Sequence, residues 1–168
     1  FNDPFFGSSF FNTVSNVEKT LNSNALSLNV KALPVSNQPA DFEGSVGKFT
    51  LSAEIDKTEA KTNDAIKLSY KITGTGNLYL IEKPDFEFSS DFETYDPDIK
   101  ENISTTATGI SGSKTFSYLL IPRSAGSFTI KPVNFVYFDL STKNYVTLTS
   151  PEFNIKIEKG ANDENTTV

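Results

Sequence analysis

Apolar and polar residues alternate with a period of two along most of this chain. Alternation of this kind, bounded by Pro and Gly, predicts half-buried antiparallel strands. The clearest instance is the stretch 113–139, which predicts two strands joined by a turn at residues 122–126. Its alternating apolar positions are Phe116, Tyr118 and Leu120 before the turn, and Phe128 and Ile130 after it.

The same spacing predicts further strands. They lie at residues 26–30, 48–55, 65–73, 78–81, 145–149 and 152–158. Residues 100–108 are polar on both faces, which indicates an edge strand facing solvent, and the glycines in residues 74–77 predict a tight turn. After Pro132 the alternation changes phase, as it does at a β-bulge or where a strand changes sheets. The following NFVYF run is apolar on both faces, so it is either covered twice or partly exposed for contact.

These elements predict an all-β fold of about seven to nine strands with no convincing helix. Turn signals every eight to twelve residues are typical of an immunoglobulin-like antiparallel β-sandwich. A closed barrel is the alternative, but Pro84, Pro122 and Pro132 fit corners and edges better. We therefore predict a sandwich whose core is held by apolar side chains alone.

Changes in composition predict four segments. Residues 1–33 read as the end of a preceding Ig-like domain, with a Phe-rich segment and a last strand, and residues 34–47 as a linker. The Ig-like sandwich itself is expected at residues 48–160, and residues 161–168 form a polar tail or the next linker. The missing initial Met indicates a segment of a longer protein.

Composition narrows the possible functions. The chain has no Cys and no His, which removes the common nucleophile–base pairs and most transition-metal ligand sets. We predict no enzyme and no cofactor, although hydrolysis by carboxylates alone stays open. A net charge of −6 without a basic stripe argues against nucleic acid as a partner.

Three segments together resemble the BatD family of bacterial aerotolerance (oxygen-tolerance) proteins. They are residues 39–84, which contain the TGTGN turn, residues 92–103, FETYDPDIKENI, and residues 112–139, with the YLLIPR and GSFTI runs. The resemblance covers most of the chain, from about residue 26 to residue 159. The motifs are specific in combination, because each one alone occurs in many Ig-like domains.

The resemblance implies an exported, membrane-anchored protein with tandem Ig-like domains on the periplasmic side of the inner membrane. It also implies operon partners with von Willebrand A domains, tetratricopeptide proteins, and a link to oxygen-stress tolerance. The membrane would be reached only through an anchor outside this segment. No catalytic residue is carried over from the family.

Six residues are candidates for binding. Asp96, Asp98 and Glu101 place three carboxylates close together as weak metal candidates, although the run lacks the ligand spacing of a calcium loop. Because A domains often bind a partner carboxylate through a metal ion, Asp96 and Asp98 are also candidates for partner binding. Arg123 is either a brace for its turn or a carboxylate-binding fork. The last two candidates for partner contact are Phe135 and Tyr137.

We therefore expect a non-catalytic protein-interaction or spacer domain in a periplasmic complex with A-domain partners. The alternative is a carbohydrate-binding or adhesion module at the cell surface. In that alternative, an aromatic platform for sugars would be built from Tyr79, Tyr95, Tyr137 and Tyr145.

Overall fold

The structure, a computed structural model, describes residues 17–160 of the chain. The predicted Phe-rich segment at residues 1–11 and the predicted polar tail at residues 161–168 lie outside the described residues. The chain divides into two units, Phe1–Leu33 and Pro34–Val168. None of the described helical segments is long and apolar enough to cross a membrane.

In the first unit, residues 17–33 have no regular secondary structure. The strand predicted at residues 26–30 is wrong for this structure, because Leu26, Leu28 and Val30 are each at least 80% exposed. Alternation gives a segment an apolar face, but a strand also needs a neighbour for its backbone hydrogen bonds. That this unit belongs to a preceding domain stays a prediction.

The second unit contains ten strands and one short 3-10 helix, Leu78–Leu80, among the described residues. In chain order the strands are β1 (Ser45–Ile55), β2 (Glu59–Lys61), β3 (Ile66–Gly76), β4 (Phe92–Thr94), β5 (Asp98–Thr106), β6 (Gly109–Pro122), β7 (Gly126–Ile130), β8 (Asn134–Asp139), β9 (Asn144–Thr149) and β10 (Phe153–Glu158). The first strand begins at Ser45, inside the predicted linker. The predicted strand at residues 78–81 is wrong, because the 3-10 helix occupies this position.

The strands form two sheets. The larger has the order β4-β6-β3-β1-β8-β9, with β5 also paired to β6, and the smaller has the order β2-β10-β7. Pairing is mostly antiparallel, with short parallel pairs between β1 and β8 and between β2 and β10. The all-β sandwich is therefore confirmed, and its strand number exceeds the prediction because β2 and β4 are only three residues long.

The inner faces of β3 and β6 supply the centre of the core. Ile66 pairs with Leu120 and Tyr70 with Phe116, and all four side chains are buried. Their spacing is the predicted alternation, so every second residue of each strand faces inward. Full burial of an apolar side chain of this size contributes about 1.5–3 kcal/mol, so each of these buried positions adds substantially to the stability of the domain.

The stretch 113–139 crosses between the sheets twice. Its first strand, β6, lies in the larger sheet, whereas β7 pairs with β10 in the smaller one. After Pro132 the chain returns to the larger sheet as β8, so of the two predicted alternatives, a β-bulge and a change of sheets, the structure has the change of sheets. Val133 fixes the second crossing, because its amide donates to Ser150 Oγ at 2.9 Å and its carbonyl accepts from Ser150 N at 2.9 Å.

The glycines of the TGTGN run end a strand and do not form the predicted turn. Gly74 and Gly76 lie in β3, opposite Phe49 and Gly47 of β1. A Cβ on Gly74 would lie 2.1 Å from the carbonyl oxygen of Lys48 and 2.9 Å from Phe49 Cδ1. The two strands approach so closely here that only glycine fits.

Gly74→Ala is therefore expected to lower the free energy of unfolding by at least about 2 kcal/mol through overpacking. The matched control is Gly126→Ala, where the nearest side-chain atom would lie 3.4 Å from the new Cβ, an ordinary contact. Urea denaturation of both variants measures the difference. Equal unfolding midpoints would contradict the close approach of β1 and β3.

Candidate interaction surface

The predicted acidic residues lie at the start of β5 but do not converge. Asp96 forms an ion pair with Lys83. The hydrogen bond from Lys83 and its positive charge lower the pKa of the Asp96 carboxyl group. Glu101 pairs with Lys114 at 2.9 Å. Asp98 and Glu101 are three residues apart on a strand, so their side chains project to opposite faces.

Within residues 17–160, no group of three or more Asp or Glu side chains is arranged to hold a metal ion. Two of the three weak metal candidates have lysine partners instead. The region therefore presents two exposed carboxylates, Asp96 and Asp98, at the start of β5.

Arg123 connects three segments at the end of β6. Its backbone amide donates to Asp91 O at 2.7 Å, and Nε donates to Glu93 Oε2 at 3.0 Å. A second guanidinium nitrogen donates to the same Glu93 oxygen, and the third donates to Asn63 Oδ1. The hydrogen bonds from Tyr95 and Arg123 lower the pKa of the Glu93 carboxyl group. This geometry favours the brace over a role for Arg123 in partner binding.

The two aromatic candidates, Phe135 and Tyr137, are 9% and 5% exposed. Their rings pack on Phe49 with centroid distances of 5.7 and 5.3 Å. Five of the six residues of β8 are buried, so this strand is covered on both faces. The apolar NFVYF run is therefore part of the core, and the structure gives no support to partner contacts by Phe135 and Tyr137.

The four tyrosines of the possible sugar platform lie in different environments. Tyr79 belongs to the 3-10 helix, Tyr95 donates to Glu93, and Tyr137 is buried in the core. Tyr145 donates its hydroxyl hydrogen to Pro34 O at 2.8 Å and packs against Phe42. They do not assemble into one exposed aromatic surface.

β5 is the most accessible strand of the larger sheet. It pairs with β6 over nine residues, and no other described strand lies on its second edge. Eight of its residues are exposed, which confirms the predicted polar edge strand. The side chain of Ile99 is 49% exposed and that of Ile103 is partly buried, so the inner face of the sheet ends with apolar surface in reach of solvent.

A groove of about 760 Å³ opens at one end of the larger sheet. Its walls are Gly47 and Gly76 at the ends of β1 and β3, the β5–β6 turn at Thr108 and the β8–β9 turn at Leu140. Leu140 is 63% exposed, whereas Asp139 beside it is almost buried. The glycines were visible in the sequence, but their alignment in neighbouring strands required the strand register.

A second groove, of about 540 Å³, is acidic. It is lined by Asp41, Glu43, Asp85 and Glu87, and Glu87 pairs with Lys131 at 3.0 Å. Outside this groove, accepted hydrogen bonds lower the pKa of four carboxyl groups; they are Asp91, Glu93, Asp96 and Asp139. A lowered pKa suits a carboxylate that accepts hydrogen bonds, whereas a general acid requires a raised one.

Fold and surface together define the class of protein, an all-β sandwich domain that presents a strand edge and two open grooves. The family follows from comparison with known proteins. A family model described as the BatD DUF11 like domain matches residues 53–157, more than half of the chain. The chain belongs to the BatD family, as its motifs predicted. No curated protein matches the chain.

Arg123→Gln is expected to lower the urea midpoint of unfolding, because Glu93 and Asn63 would lose their shared donor. The matched control is Lys131→Gln, which removes an ion pair whose two side chains are more than 70% exposed. An unchanged midpoint for Arg123→Gln would show that the brace contributes nothing measurable.

Acid is expected to weaken the β8–β9 turn through Asp139. Asp139 Oδ1 accepts hydrogen bonds from Ser141 Oγ and, at 2.8 Å, from Ser141 N, and these bonds lower the pKa of the Asp139 carboxyl group. Its contribution is therefore present above the ordinary pKa of 3.8 and is lost as the pH falls through the lower folded-state value.

Asp139→Asn should flatten the fall of the unfolding temperature below pH 4, about where the ordinary Asp carboxyl begins to titrate. Thermal unfolding followed by circular dichroism measures this profile, with exposed Asp98→Asn as the matched control. Parallel profiles for wild type and Asp139→Asn would contradict the assignment.

Proposed function

We propose that this chain is a non-catalytic interaction and spacer domain of a membrane-anchored BatD protein. Its partners would be von Willebrand A-domain proteins of the same operon, in a periplasmic complex that contributes to oxygen-stress tolerance. Membership of the BatD family supports this proposal. The observation that carries the interaction role is the open edge of β5, with exposed carboxylates at its start.

The edge of β5 suits recognition of another protein for two reasons. An unpaired strand edge offers a row of backbone donors and acceptors to an added chain segment. Asp96 lies in the preceding loop and Asp98 begins β5, and their carboxylate oxygens are hard ligands of the kind that a divalent cation held by a partner would accept. Asp96 must leave Lys83 to do so, and this ion pair is exposed and therefore weak.

Co-purification tests the partner class. The full-length, membrane-anchored parent is expected to retain the A-domain proteins of its operon when it is isolated in mild detergent with divalent cations present. Quantitative mass spectrometry compares the yield with that from a parent lacking residues 45–160. Equal recovery of A-domain proteins from both would contradict the proposed role of this domain.

The two carboxylates have a separate test. Asp96→Asn with Asp98→Asn is expected to lower capture of the A-domain partner at least about tenfold, the effect of losing roughly 1.4 kcal/mol. Asp85→Asn with Glu87→Gln, in the acidic groove, is the matched control of equal charge change. Unchanged capture by the first pair would remove Asp96 and Asp98 from the interface.

A further inference from the structure

Residues 34–44, the first part of the linker predicted at residues 34–47, follow a defined path within the second unit. It contains two turns, closed by a hydrogen bond from Gln38 N to Val35 O at 3.4 Å and another from Phe42 N to Pro39 O at 3.2 Å. The side chain of Phe42 is partly buried. We refer to residues 34–44 as the strap.

The side chain of Tyr145 in β9 contacts the strap at two places, Pro34 before the first turn and Phe42 at the end of the second. The Tyr145 hydroxyl donates to Pro34 O at 2.8 Å, and the Tyr145 ring meets the Phe42 ring edge-on with centroids 4.9 Å apart. The Tyr145 ring also packs against the Phe138 ring of β8, with centroids 5.0 Å apart. Tyr145 therefore links the strap to a buried strand of the larger sheet.

Asn77 holds the strap where it enters β1. Asn77 Oδ1 accepts from Val46 N at 2.7 Å, and Asn77 Nδ2 donates to Gly44 O at 2.9 Å. The backbone amide of Asn77 also donates to Val46 O at 3.1 Å. Its side chain thus pairs with β1 as a neighbouring strand would, and Gly44 has the positive φ of 89° that the chain needs to reach it.

We infer that the strap is a fixed element of the domain and that Tyr145 and Asn77 are the residues that position it. A free segment rich in Pro, Gly and Ser would let the preceding chain leave the domain in many directions. A strap held at Pro34, Phe42 and Gly44 instead fixes the point on the second unit at which the preceding chain joins it. The inference deepens the spacer part of the proposed function, because a spacer transmits geometry only if its connections are ordered.

Hydrogen–deuterium exchange of the full chain, followed by mass spectrometry, tests the strap directly. The amides of Gln38, Phe42 and Val46 are expected to exchange at least about tenfold more slowly than free peptide, as hydrogen-bonded amides of an ordered segment do. Exchange of these amides at the free-peptide rate in the wild-type protein overturns the inference without any variant.

Variants then separate the two anchors. Tyr145→Phe removes only the bond to Pro34, and Tyr145→Leu also removes the ring contacts with Phe42 and Phe138. Exchange at Gln38 and Phe42 is expected to rise about threefold in the first variant and about tenfold or more in the second. Asn77→Ala is expected to release Val46 and the amides next to it. The matched control is Tyr95→Phe, which removes a surface hydroxyl bonded to Glu93.

The amides of β3 and β6 report global stability in the same experiment. Faster exchange confined to residues 35–46 supports the strap, whereas an equal rise in β3 and β6 would show that Tyr145 stabilises the whole fold and would overturn the positioning role. Failure of A-domain partners to co-purify leaves these exchange rates unaffected, so the two proposals fail separately.

Discussion

The inner faces of β3 and β6 are the constraint on which the rest of the domain depends. These two long strands pair over ten residue positions, and their apolar side chains must be covered by something other than water. The smaller sheet and the aromatic residues of the 84–92 region supply that cover. Tyr70 and Tyr118 bring hydroxyl groups into this buried face. Burial raises the pKa of both hydroxyl groups, and the Tyr118 hydroxyl donates to the carbonyl oxygen of Pro84.

The need to cover this face explains the path of the chain between β6 and β8. The chain leaves the larger sheet after Pro122, contributes β7 to the smaller sheet, and returns after Pro132. Each crossing is fixed by specific polar contacts, by Arg123 at the first and by Val133 with Ser150 at the second. Because a proline cannot donate to a strand ladder, it suits the corners at which pairing stops.

The proposed interaction role depends on the surface that this arrangement leaves exposed. The apolar residues of β8 are buried in the core. The accessible features are therefore the polar edge of β5, the groove between the two hairpin turns, and the acidic groove beside the strap. A domain of the BatD family with these features suits contact through strand edges and grooves, and the strap of residues 34–44 is bonded to the same sheet through Tyr145.

The sequence by itself determined the alternating strands of the sandwich core, the polar character of β5, an interruption of the strand pattern at Pro132 and the family. Each of these follows from local spacing or from a combination of motifs. Only the tertiary structure decided features that depend on a neighbouring strand. The role of Gly74 depends on its register against Phe49, and the burial of Phe135 and Tyr137 depends on cover on both faces of β8. Leu26, Leu28 and Val30 alternate, but none of the strands within residues 17–160 pairs with them. Alternation fixes which side of a strand is apolar, whereas pairing and burial are properties of two elements at once.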